Sequence, residues 1–323
     1  MTSTWQPTAS IKTLKQRAAI IQQIRQFFYE RKVMEVETPL LASAGVTDLY
    51  LENLITEFQG PGFATPKELY LQTSPEFAMK RLLAAGSGCI FQICKAARDD
   101  ESGRYHNPEF SILEWYRIGF NHFDLIDEID QLLQLVLSCE KAERYSYQAV
   151  FQQHLGIDPL TASAQELKLA LMSQGEADLA NMSDNKTDLL QFILSQCIEP
   201  KIGQSRPCVI YNFPAEQASL AKISKQDNRV AERFEIYYKG IELANGFHEL
   251  TDSNEQAKRF EQDNKARVEA GKKPKPIDYN LLAALSAGLP DCAGVALGID
   301  RLVMLALNKP HIDQVLSFNI HNC

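Results

Sequence analysis

The chain has 323 residues, 45% of them hydrophobic and 23% charged, with a net charge of −8. That length suits one large or two ordinary globular domains, and no run approaches the roughly 18 apolar residues needed to cross a bilayer. The N-terminal MTSTWQPTAS lacks the basic start and apolar run of a secretory signal, so a cytoplasmic protein with reduced thiols is expected, without a membrane partner. Its acidic balance excludes a broad nucleic-acid footprint, which needs a basic face. Seven cysteines, none in a CxxC pair, point to neither a zinc cluster nor a disulfide framework.

In chain order, residues 1–10 read as a tail. Leu14, Ala18, Ile21, Ile24 and Phe28 then recur at helical spacing, up to Arg31-Lys32. VMEVETPLL (33–41) alternates like a strand, with Pro39 marking it as an edge or interrupted one. A turn at Gly60-Pro61-Gly62 leads to a short strand over 68–73. A helix through Ala85 follows, with Ser74 as its N-cap, Pro75 first in the helix and Glu76 in the first turn. FQICKAARDDESGRYHNPEFSILEWY (91–116) reads as a strand ending at Arg98, a charged loop, and a return strand from about Asn107-Pro108. An arginine leaving one strand and a phenylalanine on the next suit a triphosphate and a stacked base.

Residues 123–138 form a strongly periodic helix, and 141–205 read as a helical insertion without a catalytic constellation. RFEIYYKGIELANGFHEL (233–250) carries a hairpin signal at Lys239-Gly240. Glu242 and Glu249 are seven residues apart, so a regular strand would set them on opposite faces. One extra residue at Asn245-Gly246 would bring both carboxylates to one side, making a hard-oxygen site for magnesium. A basic, amide-rich helix over about 253–270 and a proline-punctuated loop come next. In AGVALGIDRLVMLALNK (293–309) two glycines precede Asp300-Arg301 and an apolar helix, with Gly298 placed for close backbone approach by a nucleotide.

Together these segments resemble the catalytic domain of class II aminoacyl-tRNA synthetases, specifically the lysyl-tRNA synthetase group. The first helix with VMEVETPLL is similar to the dimer-forming first motif. FQICKAARDDESGRYHNPEF with EWY is similar to the second, and ELANGFHEL with GVALGIDR to the third. The resemblance covers the chain from about Ile11. It implies an α+β fold: a mostly antiparallel sheet of six or seven strands flanked by helices, in one catalytic domain over 11–323 with the insertion at about 141–205. A lysyl-tRNA synthetase would carry an anticodon-reading barrel ahead of this domain, whereas only a short tail stands here.

Resemblance to the freestanding, barrel-less members of this group implies an enzyme that activates (R)-β-lysine or lysine with ATP and magnesium. The adenylate would pass to a lysine ε-amino group of elongation factor P, with tRNA not expected as acceptor. A truncated paralogue with a tRNA or small-molecule acceptor, and an inactive regulatory paralogue, are the alternatives. A homodimer through 14–41 is implied as well.

By the same resemblance Arg98 and Arg301 are catalytic, clamping a bent ATP and stabilising charge at the α-phosphate. Asp99, Asp100, Asn107, Phe110, Glu242, Leu243 and Gly298 complete the ATP site. Ser74, Pro75, Glu76, Glu114, Tyr116, Glu249 and Ala296 line the amino-acid pocket, and Glu242 with Glu249 bind the metal. Two departures stand out. Asp99 and Asp100 replace the family's Asn and Glu, and Ala296 replaces a glycine, a methyl that is expected to favour β-lysine over α-lysine.

Overall fold

The computed structural model describes residues 5–62, 65–99 and 101–323. Asp100 lies outside the described residues. The chain divides into two compact units, Met1–Phe120 with Leu250–Cys323, and Asn121–Glu249.

The first unit begins with helix α1 (Ile11–Glu30), capped by Ser10, whose hydroxyl accepts from the Thr13 amide at 3.1 Å. Its apolar stripe buries Ile24, Phe27 and Phe28. Next come strands β1 (Met34–Glu35), β2 (Leu41–Ala42), β3 (Ile55–Phe58) and β4 (Lys67–Leu71), helix α2 (Glu76–Ala84), and strands β5 (Ile90–Ala97) and β6 (Glu109–Ile118).

The interruption expected at Pro39 is present, and the two fragments beside it lie in different sheets. β1 pairs in parallel with β5, while β2 pairs with β4 in a separate three-stranded sheet of order β2-β4-β3. A chain changing sheets must break its ladder, and Pro39, which has no N–H to donate, lies in that break. Helix α2 starts one residue later than expected. Pro75 is the N-cap, and the Ser74 hydroxyl reaches the Glu76 amide only at 3.5 Å.

The second unit opens with α3 (His122–Leu137), whose capping box joins Asn121 and Asp124. Strand β7 (Glu143–Ser146) follows, so the segment read as helical begins with a strand, laid parallel to β8 (Cys208–Pro214). Between them lie α4 (Tyr147–Leu155), α5 (Ala164–Ser173), α6 (Ala177–Met182) and α7 (Lys186–Phe192). Tyr147, Phe151, Leu167, Leu171 and Leu194 share one core with Cys208, Ile210 and Phe213 of β8. Strands β9 (Val230–Tyr238) and β10 (Ile241–His248) form the hairpin expected at Lys239-Gly240. Both turn residues have positive φ, 53° and 71°, the left-handed pair of a tight two-residue turn.

The chain then re-enters the first unit through α8 (Ser253–Glu269), α9 (Tyr279–Gly288), β11 (Cys292–Gly298) and α10 (Ile299–Ala306). Helix α9, capped by Asp278, follows the proline-punctuated loop, in a stretch for which the sequence suggested no element. The main ladder of this unit runs β1-β5-β6-β11 and that of the second β10-β9-β8-β7. These eight strands exceed the expected six or seven because of the short β1 and β7, which make the parallel pairings. Among the described residues no helix is long and apolar enough to cross a membrane.

Candidate active site

In the first unit the two faces of the β5-β6-β11 ladder differ in chemistry. On one, Phe28 of α1 stacks on Phe91 at 4.5 Å and meets Trp115 edge-on at 5.2 Å, making an aromatic core. Strand alternation turns Phe110, Ile112, Glu114 and Tyr116 to the other face. There the register sets Gly294 opposite Tyr116, Ala296 opposite Glu114 and Gly298 opposite Ile112. Three small residues in alternate positions leave space beside the acid and the tyrosine. The Tyr116 hydroxyl donates to Glu114 at 2.7 Å, and both side chains are buried. Cys94 shares this face. Burial and the Glu114 charge push its thiol up to about 12, so it stays protonated and inert.

The two expected catalytic arginines lie at element ends of this unit, Arg98 just past β5 and Arg301 in the first turn of α10. The Arg98 guanidinium is 3.3 Å from Glu101 and lies 5.0 Å from the centre of the Phe110 ring. Its Nε is buried and has no hydrogen-bond partner, a donor suited to an anion such as a phosphate. Arg301 donates from Nε to the Tyr105 carbonyl at 3.2 Å and lies 2.6 Å from His106 Nε2, so it grips the loop that follows Arg98. Gly298 is the α10 N-cap with a φ of −71°. An added Cβ there would meet only the Arg301 stem, at 3.7–3.8 Å, so the protein itself does not require glycine at this position.

Asp99 is exposed, and its amide donates to the Glu52 carbonyl at 3.0 Å. Glu52 in turn pairs with Arg267, Lys272 and Lys275. Burial raises the Glu52 carboxyl, but hydrogen bonds from those three cations outweigh it and hold the group at about 2. Asn107 turns inward: its amide nitrogen donates to the Glu109 carbonyl and its oxygen accepts from the Ile320 amide. Those bonds tie the hairpin to the C-terminal segment, a structural job that the motif reading did not anticipate. Glu76 pairs at 2.7 Å with Lys80, an ammonium with 1% exposure.

Asp300 was noted only as a neighbour of Arg301, yet it pins three elements together. It pairs with Arg17 of α1 at 2.6 Å and accepts from the Ser111 amide of β6 at 2.7 Å. The signal in the sequence was an acid at the start of an apolar helix, which also reads as ordinary capping.

In the second unit a register shift between Glu242 and Ala244 makes Leu243 the bulged residue. The bulge therefore lies two residues ahead of Asn245, because Asn245 and Gly246 pair regularly with Glu235 and Phe234. The consequence for parity is the expected one. Glu242 lies opposite Tyr237, and Asn245 and Phe247 opposite Glu235 and Arg233, so all share a face that the alternation extends to Glu249. Arg233 pairs with Glu235 at 2.5 Å, and Tyr237 donates to Glu235. Burial still raises the Glu235 carboxyl, despite Arg233, and the nearby Glu242 charge adds to the rise. Asn245 and Phe247 were missed. Asn245 Oδ1 is buried without a hydrogen-bond partner, and only the bulge puts it on the carboxylate face. Two carboxylates and an amide oxygen are hard donors that fit magnesium.

Residues 4–322 match tRNA synthetases class II (D, K and N), and the chain belongs to this family. Within it, the proteins from Vibrio parahaemolyticus and Vibrio campbellii called elongation factor P–(R)-β-lysine ligase are each 61% identical over 318 residues, 98% of both chains. The protein of the same name from Photobacterium profundum is 59% identical over 320 residues, 99% of both chains.

Proposed function

We propose that this chain is a ligase that activates (R)-β-lysine with ATP as an aminoacyl adenylate and transfers it to a lysine ε-amino group of elongation factor P. The observation that carries the reading is 61% identity across 98% of both chains to relatives bearing that activity in their names. In the first step a carboxylate oxygen of β-lysine bonds to the α-phosphorus as the bond to pyrophosphate breaks. In the second, the neutral acceptor amine bonds to the acyl carbon as AMP leaves with the electron pair. Neither step needs a protein nucleophile, so the chain's task is positioning and charge stabilisation.

Arg98 and Arg301 hold the triphosphate, Phe110 stacks on the base, and Asp99, Asn107, Leu243 and Gly298 complete the nucleotide contacts. Support comes from the unpartnered buried Nε of Arg98. Glu242 and Glu249 would hold magnesium, which would supply positive charge to offset that of the departing pyrophosphate. Ser74, Pro75, Glu76, Glu114, Tyr116 and Glu249 receive the two ammonium groups of the substrate, each of which needs an acid once desolvated. Ala296 lies opposite Glu114, so its methyl narrows the space where an ammonium meets that carboxylate. This supports its role in preferring the β-amino acid.

A homodimer forms through 14–41, a segment that exposes Tyr29, Met34 and Leu41. Sedimentation of the purified protein as a monomer at micromolar concentration would refute that part. The activity is tested by intact-mass measurement of purified elongation factor P incubated with the enzyme, ATP and (R)-β-lysine. Gain of one lysyl unit is expected. Labelled product on tRNA instead would overturn the acceptor assignment.

A further inference from the structure

On the opposite face of β9–β10 from the carboxylate strip sits a second polar cluster, which none of the roles above uses. His122, Glu232 and His248 bring their donor atoms within 4.8 Å of one another. His248 Nδ1 lies 2.5 Å from Glu232, and its Nε2 lies 3.2 Å from the Lys222 ammonium. Two imidazoles and a carboxylate are a familiar zinc donor set. A metal-bound imidazole, however, needs an acceptor for its remaining N–H, and an ammonium offers only donors. Lys222 therefore fits a different arrangement, in which Nε2 accepts from the lysine and Nδ1–H donates to Glu232. Burial lowers the pKa of His122, so it adds no second positive charge beside Lys222.

The backbone follows the same ties. The Lys222 amide donates to the His248 carbonyl at 2.9 Å, and the Glu232 amide to the Lys222 carbonyl at 2.8 Å. The next residue on each strand makes an isolated bridge, Ala221 with Glu249. Side chains and main chain thus strap one point of the sheet, where β10 ends and Glu249 begins.

We propose that Lys222, His248 and Glu232 form a positioning device that fixes the backbone at 248–249 and so sets the direction of the Glu249 carboxylate. The inference deepens the proposed function and rests on Glu249 being a ligand of substrate or magnesium there. Lys222, His248 and Glu232 touch neither; they act through the peptide that carries Glu249.

The test uses the full-length protein in ATP–pyrophosphate exchange, with (R)-β-lysine and magnesium each varied. Lys222→Met is expected to raise the KM for β-lysine or the magnesium requirement about tenfold, the size seen when support behind a ligand is removed. kcat should move far less, and Lys222→Arg should restore the wild-type constants. A role in stability alone would lower the melting temperature and leave both constants unchanged. If Lys222→Met does not fold, His248→Asn reads the same quantity, since it keeps a donor for Glu232 but loses the lysine. Unchanged constants in these variants, with Glu249→Gln impaired, would overturn the inference alone. An unimpaired Glu249→Gln would overturn the reading of Glu249 and this inference with it. Stoichiometric zinc retained by the wild type and lost from His248→Asn would also overturn it, marking a metal centre.

Discussion

The two units place their charged side chains by different means. In the first, Arg98 follows the last residue of β5 and Arg301 stands in the first turn of α10, and both side chains contact Glu101, Tyr105 or His106, the kind of partners that a bound anion can exchange. In the second, Glu242, Asn245 and Glu249 sit in or beside a strand laddered to β9, and one bulge decides which way they face. The guanidinium of a long side chain at an element's end can swing to a new partner, whereas donors aimed by a bulge change face only if the ladder shifts. Cations that must follow a changing phosphate suit the first arrangement, and oxygen donors for a metal suit the second.

The largest effect that bears on this contrast concerns how α10, which carries Arg301, is anchored to α1. Asp300→Ala leaves Arg17 partly buried without its carboxylate, and breaking such a pair is strongly destabilising. Because Arg17 keeps the Ser111 hydroxyl, a loss of about 3 kcal/mol is expected, at the lower end of the range for buried pairs, by urea denaturation. Next, Arg98→Ala and Arg301→Ala should each lower pyrophosphate exchange by about 10²–10³-fold without changing the melting temperature, as expected of preorganised donors. A matching loss of stability in either variant would mean that these arginines are structural, and the contrast would fail. Ala296→Gly should shift the ratio of β-lysine to α-lysine adenylation by about 1–3 kcal/mol toward α-lysine. An unchanged ratio would remove Ala296 from the account of specificity.

The smallest effect is in acid. Despite burial, its three cationic partners hold the folded Glu52 carboxyl at about 2, below the ordinary 4.5 of a glutamate. A depressed carboxyl contributes stability above the unfolded pKa and loses it as pH falls through the folded one. Melting temperature should therefore drop between about pH 4.5 and 2, and the drop should be shallower in Glu52→Gln. An identical acid profile in that variant would show that the Arg267–Lys275 cluster does not depend on its anion.

How much was legible in advance follows from the range of each interaction. The hairpin of 91–116, helices α1 and α3, and the turn at Lys239-Gly240 rest on contacts between near neighbours, so periodicity and turn chemistry revealed them. The split of 33–41 between two sheets depended on partners at Ile90 and Leu71, which local alternation cannot see. The bulge was foreseen, but its place was not. Asn-Gly is the stronger local signal, yet pairing of Asn245 with Glu235 and Gly246 with Phe234 forced the extra residue back to Leu243.

By itself the sequence determined the family and the identity of the charged groups, because HNPEF, NGFHEL and GIDR are contiguous blocks of chemistry. Only the tertiary structure decided their employment. Asn107 became a clamp for the C-terminal segment, Asp300 an anchor for α1, and Ala296 a neighbour of Glu114. The physical reason is that residue type sets what a side chain can bond. Strand register and packing, which join positions as much as 283 residues apart in the Arg17–Asp300 pair (300 minus 17), set what it meets.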